Sequence, residues 1–210
     1  MASSFIDQAP MIIHLFQKLQ PKKILDIGKG FGKYGFLLHE YLGIDNTKKI
    51  DPTKSLKEQS RIVVDAVEID PDLMLPHLSQ IYSKVYFGDI LQLYTQLPAY
   101  DLVLMIDIIE HINKNEALVL VKQLLQQGSK IIIATPRNFF QQDLYESEFE
   151  NHVSHWSLND FKKLGFLNVQ YLNAGVIYLL SQEKINIRGF GNSWIKKIRR
   201  IARAAKNELS

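Results

Sequence analysis

The chain has 210 residues, 46% of them apolar, which suits one ordinary globular domain with a short appendage and argues against intrinsic disorder. No apolar run approaches the roughly 18 residues needed to span a bilayer, and the first ten residues lack the basic start of a secretory leader; with no cysteine for disulfides, thiolate zinc sites or nucleophiles, the cytoplasm is the expected compartment. The formal net charge of +3 is uneven, with +6 between Ile187 and Ser210 and about −3 over the remainder, so nucleic-acid binding by the body is not expected.

Residues 5 to 19 place Phe5, Ile6, Met11, Ile12, Leu15, Phe16 and Leu19 at mostly helical spacing, and Pro21 stops the pattern, which predicts a leading helix within residues 1 to 20. Apolar runs that read as buried strands follow at Lys23 to Ile27, Arg61 to Ile69, Lys84 to Phe87, Asp101 to Ile106 and Lys130 to Thr135. Helices are predicted between them at Gly32 to Leu42, Pro71 to Tyr82, Leu91 to Leu97 and Asn115 to Gln127, with a polar surface loop over residues 43 to 60. A loop from Pro136 to Val153 and a helix near Ser157 to Leu164 precede two further runs, Leu167 to Leu172 and Val176 to Gln182. Too few residues join that pair for a helical crossover, so it should be antiparallel. Seven strands alternating with helices predict an α/β fold, a doubly wound and mostly parallel sheet with an antiparallel last strand, over residues 1 to 187. Residues 188 to 210 form a basic tail. Its apolar stripe of Trp194, Ile198, Ile201 and Ala205 lies beside five basic residues, a pattern suited to an anionic membrane surface or an acidic partner through residues 194 to 206.

The first strand runs into Gly28-Lys29-Gly30-Phe31-Gly32-Lys33-Tyr34-Gly35 and then into a helix, a turn at which a nucleotide-like ligand can approach the backbone. A phosphate loop is excluded, because Gly28 to Gly32 is one residue too short and Tyr34 stands where the magnesium-binding hydroxyl belongs. The dinucleotide fingerprint G-x-G-x-x-G matches at Gly30, Gly32 and Gly35, but its first glycine should follow the strand directly. The register that does so reads acidic-x-G-x-G-x-G as Asp26, Gly28, Gly30 and Gly32, and here the chain resembles the class I S-adenosylmethionine-dependent methyltransferases. The resemblance implies a Rossmann-like fold in which the acidic residue lies near the methionine ammonium. Lys29 departs from it, standing where the family often has a small residue.

Three downstream segments extend the resemblance over residues 22 to 182. Glu68 at the second strand's tip, beside Ile69, is implied to accept the ribose hydroxyls, while Asp70 reads as a helix cap. Gly88, Asp89 and Ile90 match the adenine-binding segment, although Asp89 is as good an N-cap. The run Asp107-Ile108-Ile109-Glu110-His111-Ile112 matches the segment that lines donor and acceptor. A fifth segment, from Ser147 to Phe161, offers His152 or His155 to an acceptor, with Trp156 as a packing anchor and Ser157 as a helix cap. The resemblance thus implies S-adenosylmethionine as cofactor and methyl transfer to a small-molecule oxygen or nitrogen acceptor. His111, Glu110 and His152 are the candidate bases. No metal site is expected, since His152-x-x-His155 lacks the zincin spacing. The alternatives are an NAD-dependent dehydrogenase and a non-catalytic scaffold of the same fold.

Overall fold

The computed structural model describes residues 4–138 and 151–187. The basic tail and part of the loop before His152 lie outside them. Seven strands form one sheet in the order β3-β2-β1-β4-β5-β7-β6. They are β1 (Lys23–Ile27), β2 (Val63–Glu68), β3 (Lys84–Phe87), β4 (Leu102–Ile106), β5 (Lys130–Pro136), β6 (Phe166–Tyr171) and β7 (Gly175–Ser181). The first five run parallel, and β7 lies antiparallel to both β5 and β6, as the short connection before it requires.

Both faces of the sheet are covered, which is why the central strand β4 is apolar throughout rather than alternating. In β4, Leu102, Leu104 and Ile106 pack on one side with Ile12, Leu15 and Phe16 of α1 (Ala9–Leu19) and with Leu38 of α2 (Lys33–Leu38). Val103 and Met105 pack on the other, against Leu120, Val121 and Leu124 of α5 (Lys114–Gln126) and against Phe161 of α6 (Leu158–Phe161). Among the described residues no helix is long and apolar enough to cross a membrane.

Three segments depart from the sequence reading. The helix expected from Pro71 to Tyr82 is instead two 3-10 turns, Pro71–Leu73 and Pro76–Gln80. Proline disfavours the helical region in the residue before it, and Leu75 before Pro76 is extended, with ψ 144°. The polar loop over residues 43 to 60 holds more structure than expected. Asp45 and Asp51 each accept bonds from a threonine two residues on, and a short helix α3 (Leu56–Gln59) opens with a Ser55–Glu58 capping box. The remaining helix, α4 (Ile90–Leu93), is also shorter than predicted.

Gly28 shows why β1 ends as it does. Its backbone lies at φ +69° and donates to Val67 O at 2.9 Å, and a Cβ there would sit 2.0 Å from Ile108 Cδ1. Gly28→Ala should therefore lower stability by about 1–3 kcal/mol in urea unfolding. Because one part of that cost is a clash with Ile108, Gly28→Ala and Ile108→Ala should couple favourably in a double-mutant cycle. Strict additivity would remove the steric explanation.

Candidate functional site

The chain leaves β1 toward β2 and β3 on one side, while β4 and β5 build the other, so the loops after β1 and β4 part over the sheet. That topological switch point is where open α/β sheets place their ligands. A cleft of about 620 Å³ opens there, the size of a nucleotide-like ligand's pocket. Asp26, Gly28 and Gly30 enter it from the end of β1, Glu68 and Ile69 from β2, and Gly88, Asp89 and Ile90 from β3. Asp107, Glu110 and His111 enter it from beyond β4, and His152 from beyond β5. Gly32, counted with the cofactor glycines in the sequence, does not line the cleft. It caps α2 at φ +82°, and its missing Cβ makes room for Leu78. His155 also stays outside, close to Arg137 O.

Asp26 is the most constrained of these groups. It is 2% exposed, in the middle of the sheet, and Tyr82 donates its hydroxyl to Oδ2 at 2.5 Å. Burial raises its pKa to about 7; the Tyr82 bond and Lys29 pull it down, and the charge of Glu68 adds to the rise. Sequence reasoning did not find Tyr82, which is 56 residues away and is seated by Gly35, where a Cβ would meet its ring at 2.6 Å.

Glu68 is held by backbone. Ile69 N and Asp70 N donate to Oε1 at 3.0 and 3.2 Å, and Gly30 N reaches Oε2 at 3.3 Å. Lys29, the residue that departs from the family pattern, folds beneath the glycine turn. Its Nζ lies 3.6 Å from Glu68 Oε2 and donates to Leu73 O at 3.0 Å. Lys29 therefore acts as an internal counterion rather than filling the cleft with a solvated charge. Asp70 accepts from Asp72 N, confirming it as a cap. Asp89 caps α4 through Oδ1, bonded to Leu91 N at 2.9 Å, while it lines the cleft; a carboxylate has two oxygens and can do both.

The turn after β4 is strained and buried. Asp107 sits at φ +52°, where a side chain other than glycine is disfavoured, and Gln8 donates to its Oδ1 at 3.1 Å. Burial lifts Asp107 to about 6. Gln8 and the neighbouring pair Lys33–Ser4, joined at 2.6 Å, tie the leading segment to the cleft wall, a role its helical pattern did not reveal. Glu110 is 2% exposed, and neither carboxylate oxygen has a hydrogen-bond partner among the described residues. Burial raises it to about 8 and the Asp107 charge adds to this, while its own backbone N–H and then the Thr135 hydroxyl pull it down.

The segment carrying His152 is stitched to that turn. Val153 N and Ser154 N both donate to Glu110 O, at 2.9 and 3.0 Å, and Trp156 Nε1 donates to Ile109 O at 3.1 Å. Trp156 stacks on Phe161 at 5.1 Å and is 2% exposed, the packing anchor expected, and Ser157 forms a capping box with Asp160. The result brings the His111 and His152 rings to 4.9 Å, with a ligand-type atom of Glu110, His111 and His152 all within 4.8 Å of one another. The expectation of no metal site rested on the local His152–His155 spacing. The fold instead places His152 beside Glu110 and His111, 42 and 41 positions earlier, in a group that could hold an ion.

No sequence-family profile and no curated protein matches the chain. Solved structures do. The N-terminal domain of EvdMO1, determined in the presence of SAH and D-fucose, is similar with a TM-score of 0.58 and 13% identity, over 87% of this chain and 86% of that one. An O-methyltransferase family protein from Burkholderia thailandensis gives 0.55 at 8% identity, over 85% of this chain and 57% of that one. The methyltransferase domain of bacterial CtHen1 gives 0.53 at 17%, over 83% and 97%. The chain thus has the Rossmann-like fold of the class I methyltransferases.

Asp26, Asp107 and Glu110 all have raised pKa values, so folding favours their protonated forms. Their contribution to stability is complete below the ordinary carboxylate range and is lost as pH rises through about 6 to 8. The lowered carboxyls, such as Asp45 and Asp51, change stability in the opposite sense but only below that window. The ligand-free protein should therefore melt at lower temperature at pH 8 than at about pH 5. Asp26→Asn should remove the part lost between the ordinary carboxylate pKa of 3.8 and about 7, worth at most about 4 kcal/mol. Identical melting profiles for the two proteins across this range would show that Asp26 is not buried as described.

Proposed function

We propose that the chain is an S-adenosylmethionine-dependent methyltransferase acting on a small-molecule oxygen or nitrogen acceptor. The observation that carries the proposal is the meeting of Asp26, Glu68 and Asp89, from three successive strand ends, in one cleft beside the bare backbone of Gly28 and Gly30. A carboxylate at Asp26 complements a methionine ammonium, Glu68 can accept from ribose hydroxyls, and Asp89 can accept from an adenine amino group with Ile90 against the ring. The same acidic lining disfavours a pyrophosphate, and β1 ends at Ile27, immediately before Gly28, which is the register of the methyltransferase turn rather than of the dinucleotide fingerprint.

Methyl transfer is an in-line displacement: the acceptor's lone pair forms a bond to the methyl carbon as the carbon–sulfur bond breaks and its electrons return to sulfur. The protein's task is chiefly to align the two partners and take up the acceptor's proton. Glu110, His111 and His152 line the same cleft as the proposed donor residues and form its acceptor end.

Equilibrium dialysis with labelled S-adenosylmethionine and NAD tests the reading. Saturable binding of the first is expected, with Asp26→Asn and Glu68→Ala each weakening it about tenfold or more, the scale of a lost charge-assisted hydrogen bond. Labelled methyl should pass to a component of a small-molecule extract. Binding of NAD alone would establish the dehydrogenase instead, and cofactor binding without any transfer would favour a scaffold.

A further inference from the structure

We propose that Glu110, His111 and His152 bind a divalent first-row transition ion at the acceptor end of the cleft. Each side chain offers a ligand atom, and these atoms lie within 4.8 Å of one another. Bonds to zinc from histidine nitrogen and carboxylate oxygen are about 2.0–2.2 Å, so two ligands on opposite sides of one such ion stand a little over 4 Å apart. Small rotations therefore bring all three onto one centre.

The independent sign is Glu110. Its carboxylate is buried and aimed into the cleft lining, yet neither oxygen accepts a hydrogen bond among the described residues. An acceptor left buried in this way costs free energy that a ligand can recover. The two lysines of the cleft are committed elsewhere, Lys29 to Glu68 and Leu73, Lys33 to Ser4. A cation supplied from outside meets the need that the chain leaves open.

The histidines are placed as metal ligands are. His111 Nδ1 lies 3.1 Å from the Asn151 carbonyl, and a donor bond there fixes the tautomer that carries its lone pair on Nε2. Val153 and Ser154, next to His152, donate to Glu110 O, which fastens the backbone beside His152 to the turn that carries the other two ligands. Two imidazoles with one carboxylate favour manganese, iron or zinc over magnesium or calcium, and three protein ligands leave coordination positions open. An acceptor hydroxyl bound at one of them would release its proton to solvent more readily, and its oxygen would then attack the methyl carbon. This consequence rests on the methyl-transfer reading; the metal site itself does not.

The test uses the full chain stripped with a chelator and dialysed separately against manganese and zinc chloride. About one equivalent of ion should be retained, and His111→Gln and His152→Gln should each weaken binding at least tenfold while cooperative thermal unfolding persists. Should either variant fail to fold, cobalt chloride added to the unaltered protein gives the answer. A visible spectrum shifted and intensified relative to aqueous cobalt supports the site, and an unshifted one overturns it. Retention far below one equivalent, or unchanged affinity in both folded variants, also overturns it. S-adenosylhomocysteine binding without metal binding would sink the site and leave the methyltransferase reading intact; metal binding alone would do the reverse.

Discussion

The structure is organised around carboxylates held out of water at the carboxyl end of a parallel sheet. Asp26 sits between β2 and β4, where almost every neighbour is apolar, and a charge there is costly unless something positive meets it. The fold provides partial answers only: the Tyr82 hydroxyl for Asp26, Lys29 and three backbone amides for Glu68, and Gln8 for Asp107. Glu110 receives none of these. On the proposed reading, the cost of burying these groups is offset when cations bind. The proposed cofactor carries two positive centres, an ammonium and a sulfonium, and the proposed metal site would supply a third at the end where the acceptor binds.

Lys29 fits this account despite breaking the family pattern. At a position where bulk could block the ligand, its side chain is fully buried beneath the turn and its ammonium faces Glu68. Burial lowers its pKa, while Glu68 opposes the shift. The pair fixes the carboxylate's orientation without exposing a positive charge to the proposed cofactor, which is itself positively charged. The glycine turn is thus shaped by two requirements, close approach above and a buried counterion below.

Much of this was legible in the sequence because it depends on local pattern. Short, largely apolar runs marked the strands, and acidic residues at the tips of the parallel ones converge because parallel strands end on the same side. What was not legible depends on contacts between distant residues. Nothing near Asp26 announces Tyr82, and nothing in the leading helix announces that Gln8 reaches Asp107. Gly32 resembled a ligand glycine by spacing, but its bareness serves the packing of Leu78. The helix expected at Pro71 to Tyr82 failed because its two prolines outweigh its apolar spacing. His152 was sought beside His155, its neighbour in sequence, while the fold turned it to His111.

The central claim is that the ammonium of the cofactor is received by a carboxyl which, in the empty protein, is protonated at mildly acidic pH. Isothermal titration with S-adenosylhomocysteine, in buffers of different ionisation enthalpy, measures it directly as protons exchanged on binding. With Asp26 near 7, close to one proton should be released at about pH 6 and almost none at about pH 8, and Asp26→Asn should remove the difference. Tight binding with no proton release at the lower pH would show that the ammonium is bound elsewhere.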